Sequence, residues 1–134
     1  MYAIKNYVLI ESENKDNLKL YVNTNLSKDS ELYYHPVIYF RYSIINNLLS
    51  EKINYLQPMV EYSNILIKNE KIENYVLIEE SSGMLASFAD TVRNHIDAGY
   101  QPYGPLETYK TMTSDGNSIS YTSIILQTMV KYKK

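Results

Sequence analysis

Covalent chemistry in this chain would have to run through His35, His95 or paired carboxylates, because it contains no cysteine to act as nucleophile, thiolate ligand or disulfide partner. His95 falls beside Asp97 on the side of a helix that periodicity leaves in solvent, and His35 sits in the turn Tyr33-Tyr34-His35-Pro36. Neither is embedded in a motif. There is no Gly-x-Ser-x-Gly elbow, Walker loop, pair of metal-binding histidines or dinucleotide fingerprint, and four glycines are too few to build a phosphate cradle. A hydrolase would therefore rest on two isolated histidines, and the expectation is a protein without catalysis, cofactor or metal.

Residues suited to binding are better represented. Tyrosine occurs 15 times in 134 residues, and each one offers a flat apolar face with a hydroxyl at low conformational cost. Arg41 and Arg93 are the only arginines in a chain whose default cation is lysine, and a guanidinium fork suits bidentate contact with phosphate or carboxylate. The segment Gly99-Tyr100-Gln101-Pro102-Tyr103-Gly104-Pro105 is a stiff turn that would present Tyr100, Gln101 and Tyr103 with little entropy loss. Tyr34 and His35 occupy the matching turn earlier in the chain. These seven residues, Tyr34, His35, Arg41, Arg93, Tyr100, Gln101 and Tyr103, are the candidate ligand-binding set.

The elements that carry them come from an internal duplication. Asn6-Tyr7-Val8-Leu9-Ile10-Glu11 recurs as Asn74-Tyr75-Val76-Leu77-Ile78-Glu79, and Leu56-Gln57-Pro58-Met59-Val60-Glu61-Tyr62 as Leu126-Gln127-Thr128-Met129-Val130-Lys131-Tyr132. The offsets are 68 and 70 (from the numbering of those segments), and Tyr34-His35-Pro36 aligns with Tyr103-Gly104-Pro105 at 69, implying one inserted residue on either side. The fold class expected is α+β, a tandem duplication of a β-α-β-β unit, mainly antiparallel with two helices. The units span residues 1–67 and 68–134, fused into one domain.

In the second unit Tyr75 to Ile78 forms a strand, and Ser81 or Ser82 caps a helix marked by Leu85, Phe88, Ala89, Val92 and Ile96. Gly99 ends that helix, a strand runs from about Leu106 to Met112, and Ser114-Asp115-Gly116-Asn117 turns into a long strand from Ile119 to Lys131. In the first unit the strand Tyr7 to Ile10 precedes a shorter helix through Leu18, Tyr21, Val22 and Leu26. Val37 to Tyr42 then pairs through a tip at Asn46-Asn47 with Ile53 to Tyr62. Pro58 removes a ladder donor and predicts an edge or bulge. The joint from Ile65 to Ile72 reads as a hairpin turned at Asn69-Glu70. Several strands are apolar on both faces, so either the other unit or a second copy of the chain must cover what two helices leave open; a homodimer or higher oligomer is the expectation.

A net charge of -2 supplies no basic footprint for non-specific nucleic-acid binding. The longest apolar runs are a few residues, and Met1-Tyr2-Ala3-Ile4-Lys5-Asn6 lacks a signal-peptide pattern, so a cytoplasmic protein with no membrane partner is expected. Enrichment in Asn, Ile, Lys and Tyr matches an AT-rich genome such as that of a low-GC bacterium or its phages.

Residues 74–132 resemble the 1737 family of bacterial and phage domains of unknown function. The shared features are the Tyr75-Val76-Leu77-Ile78 strand, the Gly99-to-Pro105 turn and Gln127-Thr128-Met129-Val130-Lys131. Tyr100, Pro105 and Thr128 stand where that family has Trp, Gly and Ala. The resemblance implies a fold and no catalytic role. The functional expectation is a non-catalytic, phage- or mobile-element-encoded binding protein that sequesters a small anionic, nucleotide-type signalling ligand of host defence. The alternative is an inhibitor that binds a host protein directly through a tyrosine-rich apolar face. A concave Tyr- and Arg-lined pocket would mark the first, a flat exposed apolar patch the second.

Overall fold

The computed structural model describes all residues, 1–134. Its chain order is β1 (Tyr2–Ser12), α1 (Lys15–Leu26), β2 (Glu31–Leu32), β3 (Val37–Ile45), β4 (Leu48–Leu66), β5 (Ile72–Ser81), α2 (Leu85–Asp97), β6 (Gln101–Pro102), β7 (Glu107–Ser114) and β8 (Ile119–Tyr132). The fold is α+β, with two four-stranded antiparallel sheets, one from each half. In sheet A the long strand β4 is central. Its first part pairs with β3, and its second part lies between β1 and β2. Sheet B repeats this around β8, with β5 on one side and β6 and β7 on the other.

The register is the same in both sheets, since Tyr7 faces Val60 and Tyr75 faces Val130. The helix ends match as well. Gly99 (φ 95°) closes α2, with its N–H on the Ile96 carbonyl at 3.0 Å and the Tyr100 N–H on the His95 carbonyl at 2.9 Å, the paired bonds of a Schellman cap. In the first half Asp29 takes the glycine's place at φ 66°, and the Ser30 N–H reaches the Asn25 carbonyl at 3.4 Å. The next turn matches Tyr34 (φ 60°) with Gly104 (φ 78°). The side-chain amide of Gln57 donates to the carbonyls of Tyr34 and Pro58, and that of Gln127 to those of Gly104 and Thr128. Tyr34 is therefore the counterpart of Gly104, at an offset of 70 rather than the expected 69. The drift occurs in one place, the connection from β5 to α2, where Ser82–Met84 form a 3-10 turn.

Three further expectations are corrected. Neither serine caps α2: Ser81 makes no capping bond, and Met84 precedes the helix without one. By contrast, Asn14 caps α1 by accepting the N–H groups of Asp16 and Asn17. Residues 67–71 form no hairpin but cross between sheets, because β4 and β5 belong to different ladders. Pro58 lies in a central strand. Its carbonyl accepts from Tyr33 N–H, so its nitrogen points the same way, into the gap between β2 and β3 where no ladder donor is needed. The tip at Asn46-Asn47 forms as expected, both residues at positive φ (53° and 63°) as a two-residue type I′ hairpin requires.

The sheets pack through non-equivalent faces. Tyr7, Tyr39, Leu56 and Val60 of sheet A meet Ile125 and Met129 of sheet B, with Phe88, Val92 and Ile96 of α2 completing the core. Helix α2 packs on β1 as well as on its own β5, whereas α1 covers only its own sheet, through Leu18 against β1 and β4. Polar clamps join the halves. The Tyr7 hydroxyl donates to Gln127 Oε1 at 3.0 Å. Ser123 Oγ both accepts from the Phe40 N–H and donates to its carbonyl, and the Gln101 amide does the same with Ile4, at 2.6 and 3.0 Å.

Two substitutions follow from comparing the halves. Asn54 is fully buried with neither side-chain polar atom bonded, and its counterpart is Ile124. Asn54→Leu is expected to raise stability by about 1–2 kcal/mol, because an unmet desolvation cost disappears; a lower urea midpoint would contradict this. Asp29→Gly relieves a left-handed backbone at an exposed site and should add about 0.5–1 kcal/mol in the same assay.

Candidate functional site

The two proline-bearing turns converge where the halves meet. They flank a half-open cavity of about 580 Å³ lined by six tyrosines, Tyr2, Tyr33, Tyr34, Tyr62, Tyr103 and Tyr132, together with Met1, Ile4, Leu32, Gln101, Pro102 and Gly104. The repeat builds this ring, since Tyr33 matches Tyr103 and Tyr62 matches Tyr132. Each of Tyr33 and Tyr103 is held by its N–H on the central strand, to the carbonyls of Pro58 and Thr128 at 3.0 and 2.9 Å. Tyr33 also meets Tyr34 edge to face at 4.8 Å between ring centres and Tyr7 at 6.1 Å, which ties the cavity wall to the core.

Crowded phenols in this wall stay protonated. Tyr33 lies well above the usual tyrosine range through burial first, and then through the neighbouring Tyr34, Tyr62 and Tyr132. Tyr62 is raised by burial, Glu31 and Tyr34, and Tyr132 by burial, Tyr103, Glu70 and Tyr34. These hydroxyls are available as neutral donors and acceptors beside flat apolar rings. No Lys, Arg or His side chain lines the cavity.

Cations lie next door. A second cavity of about 540 Å³ shares Ile4, Gln101 and Tyr132 with the first and is bordered by Lys5, Lys68, Lys133 and Lys134, with Asp97 as its one acidic side chain. Lys5 is paired with Glu61 at 3.2 Å; the other three lysines make no ion pair.

Of the seven residues singled out from the sequence, the structure brings Tyr34, Gln101 and Tyr103 together in the tyrosine cavity. Gln101 shapes the wall rather than offering its amide, which is consumed by the backbone of Ile4 and Tyr100. Tyr100 lies outside, edge-on to His95 with centres 5.5 Å apart, its hydroxyl accepting from Asn74 at 2.8 Å and Lys131 above its ring. His35 is exposed, with Nδ1 3.1 Å from the carbonyl of Pro36, and it does not line the cavity. Both arginines are engaged elsewhere. Arg41 binds Glu11 at 2.9 and 3.0 Å and donates to the Tyr39 hydroxyl, which itself donates to Glu11. Arg93 binds Asp90 and the carbonyl of Tyr7. No group of three or more His, Asp or Glu residues is placed to hold a metal ion.

Tyr2, Tyr33, Tyr62, Tyr132 and the lysines were not among the sequence candidates. Tyr62 and Tyr132 had a visible signal, because each closes the repeated Leu-Gln-x-Met-Val-x-Tyr segment. The lysines had none, being brought together by the 67–71 crossover and the strand ends.

Compared with protein-family models, curated proteins and solved structures, the chain matches none. No helix is long and apolar enough to cross a membrane.

The buried phenols set an alkaline limit. Tyr7, Tyr33 and Tyr39 all lie above the ordinary tyrosine value, mainly through burial, so the folded state holds protons that the unfolded chain loses above about pH 10. Their contribution is complete below that pH and is lost above it, at up to about 1.4 kcal/mol per pH unit for each residue. Urea midpoints should be flat from pH 8 to 9.5 and fall beyond; an unchanged midpoint at pH 11 would refute the assignment.

Proposed function

We propose that this is a non-catalytic binding protein that captures a small planar anionic ligand of nucleotide type, stacking its aromatic part among the tyrosines and setting its phosphate toward the lysines. What supports the reading is one adjacency: the tyrosine cavity and the lysine-bordered cavity share Ile4, Gln101 and Tyr132. A base needs a flat apolar partner, and a phosphate needs cations within a few ångströms. The volume of the tyrosine cavity falls within the range of small-molecule sites, roughly 300–1,000 Å³. The arginines have no part in this reading, since both are committed within the chain. The biological form of this reading is sequestration of a host-defence signalling nucleotide by a phage-encoded protein; the composition, rich in Asn, Ile, Lys and Tyr, accords only with the AT-rich origin this assumes.

A second reading, direct inhibition of a protein, draws on the exposed Tyr75, Leu77 and Tyr109 of sheet B. The two readings separate in a titration. Calorimetry of the purified protein against a mononucleotide and a cyclic dinucleotide should give saturable heat that weakens with salt. Tyr103→Ala and the double variant Lys133→Ala/Lys134→Ala should each cost about tenfold in Kd, or about 1.4 kcal/mol. Absence of heat with both probes, together with no extra mass on the protein isolated from cells in native mass spectrometry, would refute the ligand reading.

A further inference from the structure

The two halves share a register but not a burial pattern. Tyr7 is 0% exposed and its counterpart Tyr75 is 66%; Tyr39 is 1% exposed and Tyr109 is 42%. Leu77 is likewise in solvent. Odd-numbered β8 residues (Ser123, Ile125, Gln127, Met129) are buried toward sheet A; on the other face Ile124, Leu126 and Thr128 are only partly covered, and the open stretch ends at Val130, which is buried. The face of sheet A that corresponds to this open one is closed within the chain by sheet B and by α2, whose Arg93 donates to the Tyr7 carbonyl at 2.9 Å.

The missing cover has a matching orphan at the other end of the molecule. The Schellman caps align Asn25 with His95, so the α1 residues Lys19, Asn23 and Leu26 correspond to Ala89, Arg93 and Ile96 of α2. In α2 this flank meets the other half, and Ile96 belongs to the core. In α1 all three residues are exposed, because α1 packs only on its own sheet. Charge agrees with such a fit: the open sheet face carries Glu79 and Glu107 on either side of Leu126, and the α1 flank carries Lys19, which makes no ion pair within the chain, although Asp16 lies in the first turn of the same helix and Lys15 sits over the Tyr55 ring.

We propose that copies of this chain associate head to tail, the open face of sheet B in one copy receiving the α1 flank of the next, as β1 receives α2 within the chain. Each contact repeats a packing step already taken once inside the molecule. Because the surfaces joined are different, every added copy leaves a free sheet at one end and a free helix at the other, so assembly continues or closes as a ring.

The absence of cysteine makes the test clean. Asn23→Cys and Leu77→Cys, both at exposed positions, are purified separately, checked by circular dichroism, mixed and oxidised. The expected product is a disulfide joining position 23 of one copy to position 77 of another. It should come with a sedimentation mass for the unmodified protein that rises with concentration past twice 15.6 kDa. A 77–77 disulfide alone, with mass stopping at a dimer, would overturn the proposal in favour of a symmetric pair. No crosslink and a monomer at all concentrations would overturn it outright. Leu77→Asp, added to the unmodified background, should lower the mass at fixed concentration at least tenfold in the apparent association constant.

Discussion

Everything in this molecule hangs on two long central strands. β4 and β8 are the only strands in their sheets that pair on both sides, and each holds three partners. Their backbones therefore fix the registers of all the others, while their side chains alternate between the two faces. The glutamines at positions 57 and 127 extend this control beyond the ladder, since each ties the left-handed residue of the preceding turn, Tyr34 or Gly104, to the central strand. A buried amide with that much bonding is difficult to replace, which gives a physical reason for the same residue at both positions.

The second level of organisation is the polar stitching between halves. Gln101 and Ser123 each satisfy both backbone groups of one residue in sheet A, as a strand neighbour would. Together with Tyr7 and Gln127 they set the halves at a defined offset, and that offset creates the tyrosine cavity from two copies of the same turn. The site thus draws on both halves: the first supplies Tyr2, Tyr33, Tyr34 and Tyr62, and the second Tyr103 and Tyr132.

The duplication, the fold class and both hairpin tips were legible in the sequence because they rest on local signals: repeated strings, period-3.6 and period-2 patterns, and turn residues such as Asn46-Asn47 and Asp115-Gly116. What was not legible depended on position across the halves. Tyr34 could not be matched to Gly104 by type, since a tyrosine in a left-handed turn is held there by Gln57 rather than by its own preference. Arg41 and Arg93 looked available because their acceptors, Glu11 and the Tyr7 carbonyl, are remote in sequence. The lysines that flank the cavity escaped notice for the same reason, Lys5 and Lys68 being remote in sequence from Lys133 and Lys134. Pro58 misled in the opposite direction: the rule that proline avoids central strands holds only where a donor is needed, and there the neighbouring ladder has a gap.

In each half the central strand is also the last to leave the ribosome. β1 and α1 emerge before their ladder partner β4, and the full β1–β4 ladder waits for residues as late as Leu66 to meet Tyr2. The same delay recurs for β5 and α2, since Ile72 pairs with a residue as late as Tyr132. Contacts of such long sequence separation slow folding and prolong the exposure of apolar strands. The nascent chain therefore passes through two periods in which Tyr-Val-Leu-Ile segments stand uncovered, a kinetic burden that the finished fold conceals.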